Sequence, residues 1–131
     1  MDTPVRVLVV DDDVDFRAML RWQLGKADAI DVVGDAADGY EALERVEALD
    51  PEVAVVDLMM PGMDGFELID RLLADHPEVV PVAYSAMAND HAREQLRSIG
   101  VEMLTKSGSA DRLVEAIHRL APPSREAPAA T

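Results

Sequence analysis

The sequence contains no cysteine. That excludes a disulfide framework, a thiolate metal site and a thiol nucleophile. Aromatic residues are scarce, at 4%, so a core must be built from aliphatic side chains. Basic residues are few: 12 lysines and arginines stand against 26 acids, for a formal net charge of −14. A chain this acidic lacks the basic face that phosphate contact needs, which argues against direct nucleic-acid binding. The charge suits a protein that binds cations or basic partners, and it is equally compatible with a role in solubility alone. No apolar run is long enough to span a membrane, and the opening MDTPVRV lacks the apolar core of a signal peptide. A cytoplasmic protein with no membrane partner is the expectation.

What is present is enough for one domain. The chain has 131 residues, 49% of them apolar. VRVLVV (5–10) reads as a strand buried on both faces. Phe16, Met19, Leu20 and Leu24 then fall at helical spacing, giving a helix over 14–27. IDVVGDA (30–36) is a strand, and 38–49 is a helix stopped by Asp50-Pro51. Residues 53–61 form a third strand running into a loop, followed by a helix marked by Phe66, Ile69, Leu72 and Leu73. Residues 79–85 are a fourth strand that starts near Pro81. A helix over 89–100 has only a thin apolar face, Ala92, Leu96 and Ile99, and ends at Gly100. VEMLTK (101–106) is the fifth strand. Ala110, Leu113, Val114, Ile117 and Leu120 mark a last helix with Ser109 as its N-cap. Strict alternation of apolar strands with helices predicts an α/β fold, a doubly wound parallel sheet. PPSREAPAAT (122–131), rich in proline and alanine, reads as a linker or disordered tail.

Open α/β sheets bind ligands beyond the carboxyl ends of their strands. Asp11 and Asp12 follow strand one, Asp57 strand three, Ser85 strand four and Lys106 strand five. Folding should bring all five to one edge. Three carboxylates there need counter-charge, and a hard cation such as Mg²⁺ suits them. With Lys106 as a second positive charge, such a site can accept a phosphoryl group. Asp57 would attack phosphorus, the metal and Lys106 would balance charge, and Ser85 would donate a hydrogen bond. Asp13 and Asp15 are better explained as acids at a helix N-terminus.

Two other acid motifs compete. Asp11-x-Asp13-x-Asp15 opens like a calcium-binding EF-hand loop, but Phe16 and Trp22 stand where glycine and glutamate are required. A haloacid dehalogenase-type phosphatase would use Asp11 as nucleophile. Asp15 then stands where that motif has threonine or valine, so the match is poor, and the reading stays open as a rival. His76, His91 and His118 read as solvated surface residues.

VLVVDDD, VVDLMMPGMDGFEL, YSA and LTKS, in this order, resemble a response-regulator receiver domain of two-component signalling systems, over residues 4–121. The resemblance implies a flavodoxin-like (βα)5 fold with strand order 2-1-3-4-5. It implies a histidine kinase or phosphotransfer protein as donor and Asp57 as phosphoacceptor. Mg²⁺ would be held by Asp11, Asp12, Asp57 and the backbone carbonyl of Met59. Ser85 and Lys106 would contact the phosphoryl group, and the small Ala86 would leave it room. The chain would act as a switch rather than an enzyme. It would signal to an output domain or effector through the face made by the fourth helix, fifth strand and fifth helix. The tail would either lead to a DNA-binding domain not in this chain, making the output transcription, or end a stand-alone receiver; a homodimer in the phosphorylated state is a further partner the resemblance allows. A receiver-like module that binds without being phosphorylated is the further alternative.

The sequence departs from the family in places. Met103 stands where an aromatic is common, Ser107 where proline usually follows the lysine, and Ser85 where threonine is commoner. Met59 and Met87, each two positions beyond a site residue, are expected to hinder an attacking water and slow loss of the phosphoryl group.

Overall fold

Valines at 5, 7, 9 and 10 surround Leu8, and β-branched side chains favour extended backbone. In the computed structural model, which describes residues 3–86, 89–107 and 109–122, this run is β1 (Val5–Val10). There follow α1 (Val14–Gly25), β2 (Ile30–Ala36), α2 (Gly39–Leu49), β3 (Val53–Val56), α3 (Gly65–Asp75), β4 (Val80–Ser85), α4 (Asp90–Ser98), β5 (Glu102–Thr105) and α5 (Asp111–Leu120). The strands are all parallel in the order β2-β1-β3-β4-β5. This is the doubly wound, flavodoxin-like sheet that the sequence predicts. Among the described residues, no helix is long and apolar enough to cross a membrane.

Alternation along the strands divides the core in two. Leu8, Val10, Ala54, Val56, Ala83 and Met103 share a layer with Val46, Leu68, Ile69, Leu72 and Leu96 from α2, α3 and α4. Val7, Val9, Val53, Val55, Val82 and Tyr84 pack on the other face with Leu20 and Leu24 of α1 and Leu113 and Ile117 of α5. β3 is buried at all four positions. Fully burying one of its valines stabilises by roughly 1.5–3 kcal/mol. The sheet is therefore held from both faces, and a group of polar residues gathers at its carboxyl edge.

Pro81 lies one residue inside β4, where it costs no ladder bond. The Val80 N–H donates to the Glu52 carbonyl on the β3 side. Alternation then turns the nitrogen of Pro81 toward β5, whose pairing begins only at Val82.

Several local expectations are corrected. Met19, Leu73 and Ile99, read as members of apolar helix faces, are 45%, 36% and 42% exposed. α1 closes at Gly25, α4 covers only Asp90–Ser98, and β3 stops pairing at Val56. Asp50 ends α2 by turning left-handed, with φ 51° and ψ 57°, rather than by becoming extended. Ser109 is not the N-cap of α5. Ala110 holds that position without a side-chain bond, and the Ser109 hydroxyl accepts the Asp111 N–H at 3.0 Å. The serine closes a local turn one residue early. The other four helices do carry capping oxygens, on Asp13, Asp38, Asp64 and Asn89. Part of the chain's acidity is thus used at helix starts.

Candidate functional site

β1 and β3 are neighbours, so the residues that follow them meet at the carboxyl edge of the sheet. The Asp57 N–H donates to the Val10 carbonyl at 3.0 Å, which fixes it beside Asp11. Carboxylate oxygens of Asp11, Asp12 and Asp57 lie within 4.8 Å of one another. Asp11 and Asp57 are buried, whereas Asp12 is exposed. Lys106 follows β5, and its N–H donates to the Ser85 carbonyl at 2.8 Å, joining the ends of β4 and β5. Its Nζ lies 2.6 Å from Asp11 Oδ2 and 3.6 Å from Asp57 Oδ2. Ser85 ends β4 fully buried, and Ala86 after it is exposed. The acids and the lysine expected at one edge do come together there.

The two buried acids differ in how they are held. Asp11 Oδ1 accepts the Asp13 N–H at 2.9 Å while Oδ2 accepts from Lys106. Asp13 in turn caps α1, so the turn after β1 is a chain of carboxylate bonds. Among the described residues, Asp57 makes only longer contacts, 3.6 Å to Lys106 and 3.4 Å from the Met59 N–H to Oδ1. Burial pushes the Asp57 carboxyl above the usual carboxylate range; Lys106 opposes this, and Asp11 adds to it. Asp57 is therefore a buried acid with little direct stabilisation of its charge. The Met59 side chain stands at the surface, 61% exposed. Met87 lies outside the described residues.

Gly65 is required where α3 meets this loop. A Cβ at that position would sit 2.3 Å from the Asp57 carbonyl oxygen and 2.6 Å from Leu58 Cα. The Gly65 N–H also donates to the Leu58 carbonyl at 3.1 Å. In the same loop Gly62 has φ +76°, a left-handed turn that glycine makes without strain.

Sequence reasoning missed three neighbours. Phe16, counted only as part of an apolar stripe, places its ring 4.0 Å from Lys106 Nζ. Tyr84 lies 6.1 Å from Phe16, ring to ring. Arg17 donates to the Asp11 carbonyl at 2.7 Å and to Asp35 at 3.2 Å. Only the coincidence of an aromatic with a site acid four or five residues earlier hinted at any of them.

Three clustered oxygen donors offer what a hard divalent cation requires. An open parallel sheet with acids, a hydroxyl and a lysine at its carboxyl edge defines a flavodoxin-like protein with a cation-competent anionic pocket. The response regulator receiver domain family matches residues 7–118, and the chain belongs to that family. Among solved structures, it is similar to the signal receiver domain of the response regulator NarL from Mycobacterium tuberculosis, with TM-score 0.85 and 31% identity, over 94% of this chain and 100% of that one. It is also similar to the response regulator domain of Thermotoga maritima CheB, with TM-score 0.79 and 30% identity over 88% and 95%. A curated relative, protein-glutamate methylesterase/protein-glutamine glutaminase 5 of Myxococcus xanthus, is 51% identical over 59 residues. That match spans 45% of this chain and 17% of the relative. The chain is thus a receiver domain of two-component signalling, and its likeness to the methylesterase lies within a small part of that longer protein.

Proposed function

We propose that the chain is a phosphorylation-dependent switch with Asp57 as acceptor. The observation that carries this is the contrast between the two buried acids: both oxygens of Asp11 are engaged, while Asp57 holds its carboxylate loosely beside Lys106. An Asp57 oxygen forms the new P–O bond as the P–N bond of a kinase phosphohistidine breaks. The released imidazole keeps its electron pair and takes a proton. Lys106 moves its charge from the acids to the phosphoryl oxygens, and Ser85 donates a hydrogen bond to one of them. Asp11, Asp12, Asp57 and the Met59 carbonyl would hold Mg²⁺, which supplies charge to offset that of the carboxylates and the phosphoryl group. The engaged state of Asp11 and the family match leave the phosphatase reading without support.

The output side of the proposal uses α4, β5 and α5. A groove of about 450 Å³ lies there, lined by Arg93, Arg97, Met103, Leu104 and Leu120 among others. Its lining mixes apolar side chains with two arginines and Glu102, which suits an output domain, an effector or a second copy of the chain. Control of transcription through an attached DNA-binding domain is the further step of this reading.

The test is intact mass after incubation with acetyl phosphate and Mg²⁺, beside Asp57→Ala and a chelated sample. One added phosphoryl group, lost in both controls, is the expected result. No adduct and no phosphate release would leave a module that works by binding alone. The stability of any adduct then tests the methionines. Met59→Asn and Met87→Lys should each change its decay rate, and unchanged decay in both would dismiss the idea that they hinder water.

A further inference from the structure

Lys106 has two acids on one side and an aromatic ring on another. Its Nζ sits 4.0 Å from the centroid of Phe16, while Asp11 lies at 2.6 Å and Asp57 at 3.6 Å. Its side chain is only 16% exposed. Phe16 is held in turn by Tyr84 at 6.1 Å, the ring planes tilted by 43°. Few aromatics are available in this chain, two phenylalanines, two tyrosines and one tryptophan; one of the five faces this ammonium and a second packs against that ring.

A ring face attracts a cation without offering a directed acceptor. It differs in this from a carboxylate, which fixes the ammonium by a short hydrogen bond. The ring therefore steadies Lys106 near Asp57 and keeps water from that side. It leaves the N–H donors free to turn from the acids to a new anion. Leucine would fill similar space but has no such face.

We propose that Phe16 is a positioning residue for Lys106, holding the ammonium over Asp57 so that it is available when negative charge arrives there. This rests on the reading of Asp57 as phosphoacceptor and deepens it. Phe16 would touch neither the phosphoryl group nor a metal; it acts through the lysine.

The chain has only two lysines, Lys26 and Lys106, which makes the test direct. With ¹³C-labelled lysine there are two side-chain Cε signals, and Lys26→Arg identifies that of Lys106. In the otherwise unchanged chain the Lys106 signal should show the upfield proton shift of a group over a ring. Phe16→Leu should lose that shift and Phe16→Tyr should keep it. In parallel, Phe16→Leu should slow phosphoryl uptake from acetyl phosphate by roughly fivefold to thirtyfold, and Phe16→Tyr should restore most of the rate. A Phe16→Leu chain that melts lower but takes up phosphoryl at the normal rate would overturn the proposal, leaving Phe16 as packing. So would a Lys106 signal in the unchanged chain without an upfield shift, a result that needs no variant at position 16 to fold. If the unchanged chain takes up no phosphoryl group, the functional reading fails and the role of Phe16 in the reaction fails with it. The ring shift then still decides whether Phe16 holds Lys106.

Discussion

Asp57 carries its charge at a cost to the fold. Its oxygens share a small volume with those of Asp11 and Asp12, and one lysine serves both buried acids. Removing one negative charge should relieve that repulsion. Asp57→Asn in chelator is therefore expected to raise the melting temperature by about 2–5 °C. It should also lose most of the stabilisation that added Mg²⁺ gives the unchanged chain. Calorimetry with and without Mg²⁺ checks both, and a lower melting temperature for the variant would mean that Asp57 holds the fold together. Gly65 argues at the same scale. Any side chain there meets the Asp57 carbonyl, so Gly65→Ala should cost roughly 1–3 kcal/mol in denaturant melts. A neutral substitution would show that the loop yields easily.

Single elements are tied down unequally. α4 buries only Ala92 and Leu96, and Arg93 adds a polar tether, donating to the Met103 carbonyl at 2.8 Å and reaching Thr105 at 3.5 Å. Arg93→Ala should speed hydrogen exchange across Asp90–Ser98 by roughly tenfold; unchanged exchange would assign the anchoring to Leu96. α5 is clamped to β5 by Arg119, whose two terminal nitrogens lie 2.9 and 2.8 Å from the Glu102 oxygens. Those bonds hold the Glu102 carboxyl below its ordinary value, with burial opposing them. A lowered acid stabilises the fold above its unfolded pKa and loses that effect as pH falls through the folded one. Glu102→Gln should therefore melt about 1–2 °C lower at neutral pH, and the difference should vanish in acid, as scanning calorimetry across pH would show. The strands were legible because apolar runs announce themselves: β1 and β2 match their expected limits, β4 loses one residue at its start and β5 one at each end, and β3 stops pairing at Val56, well short of the 53–61 run that carries it into the loop. Asp11, Asp12, Asp57 and Lys106 were legible because each polar group directly follows such a run. The Asp38, Asp64 and Asn89 caps are local and were readable, yet were not singled out. The contact of Phe16 with Lys106 joins the first helix to the end of the last strand, and no periodicity encodes it. Glu52 is similar: a buried acid whose Oε1 accepts the Arg6 N–H at 3.0 Å looks in the sequence like any loop glutamate.

The whole molecule bears an excess of negative charge that its fold must tolerate. Salt should therefore stabilise it. Raising NaCl from about 20 to about 300 mM, in chelator, should lift the melting temperature by a few degrees, and a fall would mean that attractive pairs such as Arg17–Asp35 outweigh the net repulsion. The sheet order has a different consequence, for the chain as it is being made. β1 lies inside the sheet, yet its partner β3 pairs Val53 with Val7, 46 positions later. At about 5–20 residues per second, the edge of β1 that will meet β3 waits roughly 2–9 s after it is synthesised. In the first part of that interval neither edge of this apolar strand has a partner, and once β2 is made only one edge does, so the nascent chain is most open to mispairing and to chaperones before residue 56 emerges.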